Sequence, residues 1–164
     1  MKNTIHRVYV GDEADARSPE IASESWSIVH AAKYPWHAKL LGYTGAAPVK
    51  HPERYVAERP QALYLNLVDA KQQRAELVMP ILEKAKAWID GELMKEKKVL
   101  VHCNKGLSRA PAVVLWWYRL LPGGITFSDA VRVLFGHGWP IEWESGIVRL
   151  VREKWDDHAG EAEH

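Results

Sequence analysis

The sequence has a single cysteine, no long apolar run and almost no net charge, and each absence excludes a class of protein. Because Cys103 has no cysteine to pair with, no disulfide can form within the chain, and we expect a cytoplasmic protein in a reducing environment. No apolar run approaches the length of a membrane span, and the N-terminus lacks a signal-peptide pattern. The formal net charge of +1 gives no support for a nucleic-acid or anionic-membrane partner.

The composition is that of a globular protein of ordinary domain size. A hydrophobic fraction of 47% over 164 residues is enough for one sizeable core. We therefore expect one domain over residues 1–164, acting as a monomer, with a polar and flexible tail at 156–164.

Strand and helix patterns alternate along the chain, which predicts an α/β fold. Apolar or alternating segments predict strands at 5–10, 26–32, 62–68 and 99–101. Helical periodicity predicts helices over 70–97 (with a start that Pro80 obscures), 108–121, from Thr126 or Ser128 through Phe135, and 141–155. We expect a central, mostly parallel sheet flanked by helices on both faces, with 99–101 as a central strand.

The most informative segment is 99–111, with the sequence Val-Leu-Val-His-Cys-Asn-Lys-Gly-Leu-Ser-Arg-Ala-Pro. It predicts a buried strand, a tight loop and the start of a helix. Cys103 and Arg109 bracket five loop residues, with Gly106 in the middle. A helix N-terminus, a guanidinium and loop N–H groups favour a thiolate over a thiol, and the same donors bind a phosphate dianion. The alternative is an inert cysteine buried at the end of a strand.

This segment resembles the signature of the cysteine-dependent protein tyrosine phosphatase superfamily, in the form of its small dual-specificity branch. The resemblance implies that Cys103 is the nucleophile that forms a phosphocysteine intermediate, that Arg109 binds phosphate and that His102 supports the thiolate. It also implies a phosphate-binding loop built from the backbone amides of Asn104, Lys105, Gly106, Leu107, Ser108 and Arg109. No metal or other cofactor is needed, since Arg109 and the backbone supply the charge stabilisation.

The same chemistry requires a general acid, which the family supplies from an aspartate upstream of the cysteine. Asp69, at the end of the predicted strand 62–68, is the candidate, and Glu76 on the following helix is the alternative. The chain departs from the family in one position, because Ala110 follows the arginine where Ser or Thr is common. The regenerating-liver phosphatases also carry alanine there and turn over slowly, so we expect breakdown of the intermediate to limit turnover.

These features predict a phosphatase acting on phosphate monoesters, of the protein tyrosine or dual-specificity type. The chemistry also suits a non-protein substrate, such as an inositol phosphate, a phospholipid head group or an RNA 5′ phosphate. A non-catalytic phosphate-binding module is disfavoured, because Cys103, Arg109 and Asp69 are all present. The partner is a phosphorylated molecule in every case. Residues 33–59 are basic and aromatic and match the family weakly, so we expect them to determine specificity.

Overall fold

The fold is organised around a mixed sheet of six strands. The computed structural model describes residues 1–157. The strands are β1 (Lys2–Asn3), β2 (Val8–Gly11), β3 (Trp26–His30), β4 (Val56–Arg59), β5 (Ala62–Leu65) and β6 (Lys98–His102). Their order across the sheet is β1-β2-β6-β3-β5-β4. The four inner strands are parallel, and the two edge strands are antiparallel to their neighbours.

Strand β6, which contains the predicted central strand 99–101, lies in the middle of the sheet. Val99, Leu100 and Val101 of β6 are fully buried, as a parallel strand covered on both faces requires. β6 pairs with β2 on one side and with β3 on the other. The α/β architecture with a mainly parallel sheet is therefore confirmed.

The helices lie on both faces of the sheet but divide unequally between them. The helices are α1 (Glu13–Ala16), α2 (Ala38–Leu41), α3 (Ala75–Met94), α4 (Arg109–Arg119), α5 (Phe127–Phe135) and α6 (Gly146–Asp157). The main core lies between the sheet and α3 and α4, with α5 and α6 packed outside α4. All residues of α4 from Arg109 to Trp117 are buried. No helix within residues 1–157 is both long and apolar enough to cross a membrane.

Within residues 1–157, the opposite face is covered by short segments. A 3₁₀ helix at Pro19–Ala22 packs on β3, and α1 packs on β2 and β6. Ile21, Trp26 and Leu100 form a small second core there. A helical turn at Lys33–His37 leads into α2.

Several predicted boundaries shift, each for a local reason. The first strand begins at Val8 and not at residue 5, because His6 and Arg7 have positive φ angles and turn the chain between β1 and β2. The helix predicted over 70–97 begins at Ala75 and continues through Pro80. The helix predicted over 141–155 begins at Gly146, where the Ser145 hydroxyl accepts a hydrogen bond from the Val148 amide.

The remaining differences lie at an edge strand and at the chain end. Strand β4 was not predicted, because its sequence Val-Ala-Glu-Arg lacks an alternating pattern. In the predicted tail 156–164, Asp156 and Asp157 are the last residues of α6. Residues 158–164 lie outside the described residues.

Two glycines in helices give opposite predictions for stability. A Cβ on Gly146 would lie 2.2 Å from the carbonyl oxygen of Ala70, whereas a Cβ on Gly91 would meet nothing within 4 Å. We expect Gly146→Ala to lower the free energy of unfolding by about 1–3 kcal/mol through overpacking. Gly91→Ala, the matched control in α3, should raise it by about 0.5–1 kcal/mol. Urea unfolding of both variants measures this, and a stable Gly146→Ala protein would contradict the packing of α6 described above.

Candidate active site

The loop between β6 and α4 places Cys103 at the carboxyl end of the central strand. β6 ends at His102 and α4 begins at Arg109, so residues 103–108 form the connection. Cys103 is only 2% exposed. In open α/β sheets this edge is where ligands bind, since the loops there surround the ends of the parallel strands.

Three carbonyl groups of the loop point outward into the surrounding scaffold. Glu13 N donates to Asn104 O at 3.2 Å, and Glu142 N donates to Leu107 O at 2.8 Å. The indole Nε1 of Trp139 donates to Gly106 O at 3.1 Å. Because N–H and C=O point in opposite directions across a planar trans peptide, the amides that follow these carbonyls face the centre of the loop. Inward amides form a concave site for an anion.

Gly106 is required by both backbone conformation and space. Its φ angle is +74°, and a Cβ there would lie 2.7 Å from the carbonyl oxygen of Gly11. The loop therefore lies directly against the end of β2. Any other residue at position 106 would strain the backbone and push the loop away from the sheet.

Cys103 Sγ lies at the N-terminal end of α4. The amide N of Ala110 is 3.4 Å from the sulfur and donates to it. The donor belongs to the first turn of α4, so the sulfur faces the positive end of the helix dipole. The side chain of Ala110 offers no hydroxyl as a second donor.

Arg109 is 9% exposed and is held by two hydrogen bonds. Its Nη1 donates to the Leu67 carbonyl oxygen at 3.2 Å, and its Nη2 donates to Asn104 Oδ1 at 2.6 Å. The Nε of Arg109 is buried and has no partner among residues 1–157. Two of the five N–H donors thus fix the orientation of the guanidinium, and the Nε donor is among those left for a phosphate oxygen.

Asp69 joins Cys103 and Arg109 at one small cavity. Ser108 Oγ donates to Asp69 Oδ1 at 3.1 Å, which ties the acidic loop to the phosphate loop. The cavity is about 60 Å³ in volume and is lined by Asp69, Cys103, Asn104, Lys105, Leu107, Ser108, Arg109 and Glu142. The alternative acid, Glu76, is not among these residues and pairs with Arg74 at 2.9 Å. The structure therefore brings together Asp69 and not Glu76 with the cysteine.

Comparison with known proteins agrees with this geometry. Residues 42–135, more than half of the chain, match the family described as "Dual specificity phosphatase, catalytic domain". The chain belongs to this family. The resemblance drawn from the loop sequence is confirmed, and the fold and loop are those of a cysteine-dependent phosphatase.

The similar proteins differ in how much of the chain they share. Dual specificity protein phosphatase YVH1 of Plasmodium falciparum is 30% identical over 77 residues, which is 47% of this chain and 11% of that protein. The chain thus spans about a tenth of the length of this curated relative. The human tyrosine phosphatase-like serine/threonine/tyrosine-interacting protein has a TM-score of 0.69 at 19% identity, over 96% of this chain and 97% of that chain. Human DUSP28 has a TM-score of 0.67 at 14% identity over all of both chains.

In this phosphatase fold, His102 is paired with a residue that the sequence did not indicate. His30 Nδ1 and His102 Nε2 are 2.6 Å apart, and both rings are buried. Burial, followed by the charge of His102, lowers the pKa of His30 to about 3. Burial also lowers the pKa of His102 to about 4, and the Cys103 backbone acts in the opposite direction. Both imidazoles are therefore neutral at pH 7.

Sequence reasoning also missed the residues that hold the loop from outside. Trp139 and Glu142 bind loop carbonyls from a segment more than 30 positions further along the chain. The stretch 33–59, which we expect to determine specificity, reaches the loop with its first residues. Asn104 Nδ2 donates to the Tyr34 carbonyl oxygen at 3.4 Å. The end of that stretch forms β4 at the far edge of the sheet.

Within residues 1–157, no three His, Cys, Asp or Glu side chains are grouped to hold a metal ion.

The neutral histidine pair predicts a loss of stability in acid. The folded pKa of His30 lies below the unfolded value of about 6.5, so between these values only the unfolded chain binds the proton. Stability is full above pH 6.5 and falls as the pH decreases towards 4. His30→Asn should reduce this slope by up to about 1.4 kcal/mol per pH unit. Urea unfolding from pH 7 to pH 4.5 measures the slope.

The control for this experiment is His137→Asn, which removes an exposed histidine from the loop after α5. Because the buried pair is intact in this variant, the loss of stability in acid should persist. An unchanged slope in His30→Asn would mean that His30 titrates in the folded protein as it does in the unfolded chain.

Proposed function

We propose that the chain hydrolyses phosphate monoesters on proteins, at phosphotyrosine and at phosphoserine or phosphothreonine, through a phosphocysteine intermediate. The observation that carries the proposal is the convergence of Cys103, Arg109 and Asp69 on one cavity lined by a phosphate-binding loop. Family membership supports the chemistry. The presence of all three side chains argues against a module that only binds phosphate.

In the first step, the Cys103 thiolate attacks phosphorus and displaces the ester oxygen. The P–S bond forms as the P–O bond breaks, and Asp69 gives its proton to the leaving oxygen. Arg109 and the inward amides of the loop bind the equatorial oxygens, where negative charge is concentrated in the transition state. The contact between Ser108 Oγ and Asp69 Oδ1 holds the acid beside this site.

In the second step, water attacks the phosphorus of the phosphocysteine. Asp69, now ionised, accepts a proton from the water as the new P–O bond forms and the P–S bond breaks. Phosphate leaves, and the Cys103 thiolate returns. The Ala110 amide is the group that donates to this leaving sulfur, and the alanine adds no hydroxyl donor.

The rim of the site supports a protein substrate. Tyr34 and Val68 are exposed large hydrophobic residues, and both adjoin the site through Asn104 and Asp69. Such apolar surface beside the phosphate site can bind the side chain and backbone of a phosphopeptide. The reactive thiol and the absence of a cysteine partner support a reducing compartment, and we propose a monomer acting in the cytoplasm.

A small polyanionic phosphate is the second candidate substrate, because of one observation at the rim. Lys105 is exposed within the phosphate loop, and Lys33 lies beside the rings of Tyr34 and Tyr43, 5.1 and 5.9 Å from their centroids. Lys105 in the loop, together with Lys33 on the neighbouring segment, would favour a second phosphate group. Comparing kcat/KM for a phosphotyrosine peptide and an inositol polyphosphate distinguishes the two classes.

The proposed roles predict the behaviour of three variants on an aryl phosphate in the presence of EDTA. Cys103→Ser should abolish activity, and EDTA should not affect the wild type. Asp69→Asn should lower kcat about 10²–10⁴-fold, because the leaving group goes unprotonated. The decline of activity at high pH, which reports loss of the acidic proton, should also disappear in Asp69→Asn. Glu76→Gln is the matched control and should retain activity. Hydrolysis by Cys103→Ser would overturn the mechanism.

Ala110 predicts that breakdown of the phosphoenzyme limits turnover. Rapid mixing of the wild type with substrate should give a burst of aryl product of about one equivalent. Ala110→Ser places a hydroxyl beside the sulfur, and one added hydrogen bond should raise the steady-state kcat by up to about tenfold. Ala112→Ser is the control, since that amide donates to the Ser108 carbonyl and not to sulfur. A wild type without a burst would show that the first step is the slow one.

A further inference from the structure

A groove lies on the face of the sheet opposite α3 and α4. Its volume is about 360 Å³, and it is lined by Arg17, Pro35, Trp36, Lys39, Leu40 and Tyr64. These residues come from the end of α1, the helical turn 33–37, α2 and β5. All six are exposed or half-buried, so their side chains are accessible to a ligand. The volume is in the range of pockets that bind ligands.

One side of this groove also borders the active site. The Tyr34 carbonyl oxygen accepts a hydrogen bond from Asn104 Nδ2 at 3.4 Å, and the next two residues line the groove. The Trp36 ring meets the ring of His102, the residue before Cys103, with centroids 5.0 Å apart. An extended chain advances about 3.3–3.6 Å per residue. A substrate chain with its phosphate in the active site therefore reaches the groove within a few residues.

The apolar surface of the groove is already in place. Pro35 is exposed, and Trp36 and Leu40 are half-buried. Trp36 stacks on the buried His30 with centroids 4.3 Å apart and an interplanar angle of 15°, and the Arg17 guanidinium lies 4.9 Å from the same ring. Because these contacts hold the indole, an apolar side chain can bind there at little cost in ordering the protein.

The charge of the groove has one sign. Among the residues that line it, Arg17 and Lys39 are positive and none is negative. Glu13 Oε1 lies 3.3 Å from Arg17 Nη2 in an exposed pair and offsets part of that charge, while Lys39 is exposed on α2. Exposed charges of this kind add little affinity, but they select partners of opposite sign. The groove therefore favours an occupant that is both apolar and anionic.

A second hollow continues the groove along β3 and β5. It is about 370 Å³ in volume, shares Arg17 and Tyr64 with the first, and extends to Pro60 and Gln61 before β5. Two hollows in succession suit an extended peptide chain, which places alternate side chains into pockets along its path. A compact polyanion such as an inositol phosphate has no apolar part to place in either of them.

We infer that this groove binds the substrate protein beside its phosphorylated residue, at a segment that carries a large apolar side chain next to Asp or Glu. The apolar side chain enters the first hollow against Trp36 and Leu40, and the carboxylate faces Arg17 and Lys39. The inference rests on the proposed function, since the phosphate group of the same chain occupies the active site.

Two substitutions remove the two properties of the groove separately. Lys39→Glu reverses its charge, and Leu40→Ala removes apolar surface from the next position of α2. Lys84→Glu is the matched control, because Lys84 is exposed on α3 at the other face of the sheet. None of the three residues lines the active-site cavity. Hydrolysis of a small aryl phosphate should therefore stay within about twofold of the wild type in all three variants.

The substrates are phosphotyrosine peptides that carry a Leu-Glu, Leu-Lys or Ser-Glu pair at matched positions on either side of the phosphotyrosine. On one side, wild-type kcat/KM should be about tenfold higher for Leu-Glu than for Leu-Lys, mainly through KM. Lys39→Glu should abolish or reverse this preference. Leu40→Ala should lower the preference for Leu-Glu over Ser-Glu about threefold. Lys84→Glu should keep both preferences.

Each outcome decides the inference. Equal kcat/KM for the three wild-type reactions overturns it, as does a charge preference that Lys39→Glu and Lys84→Glu reduce equally; hydrolysis of the aryl phosphate would still support the proposed function. If the wild type hydrolyses no phosphate ester, the proposed function fails. The Kd values of the labelled peptides for Cys103→Ser protein, from fluorescence anisotropy, then test the groove by the same preferences. Self-association that Leu40→Ala abolishes would assign the groove to a second copy of the chain and overturn the inference.

Discussion

The outward direction of the loop carbonyls is the constraint on which the rest of the structure depends. A phosphate dianion needs many N–H donors at one point, and a loop offers them only if its carbonyl groups have other partners. Glu13 supplies one of those partners from α1, and Trp139 and Glu142 supply two from the segment between α5 and α6. Burial of the loop would otherwise leave polar groups unsatisfied, so the same bonds that stabilise the fold also form the anion site.

The sheet fixes where this loop begins and how close its neighbours come. β6 is central and buried, so Cys103 emerges at a defined point between the ends of β2 and β3. Gly106 lies against Gly11 of β2, while His102 lies against His30 of β3. The loop is therefore held by both adjacent strands. Arg109 completes the site from α4, with its guanidinium tied to the Leu67 carbonyl beyond β5.

Site residues that lie close together in the sequence could be predicted from it. Residues that meet only because distant strands or segments pack side by side could not. Cys103, Gly106 and Arg109 lie in one short segment, and Asp69 follows a recognisable strand, so both were found. His30 is 72 positions from His102, and only the parallel pairing of β3 with β6 joins them. Trp139 and Glu142 lie in a segment that was expected to be partly helical. Strand β4 was not predicted, because two of its four residues, Glu58 and Arg59, are charged. An edge strand tolerates such residues, since it needs apolar side chains on one face only.

The most direct test of the account is to find the phosphoryl group on the enzyme during turnover. Wild-type protein mixed with excess aryl phosphate is quenched in acid within one turnover, digested and examined by mass spectrometry. The account predicts one phosphoryl group on the peptide that contains Cys103, accumulating because Ala110 offers no hydroxyl to the leaving sulfur, and none in Cys103→Ser. Steady hydrolysis with no phosphoryl group on that peptide, or with one on a different residue, would contradict it.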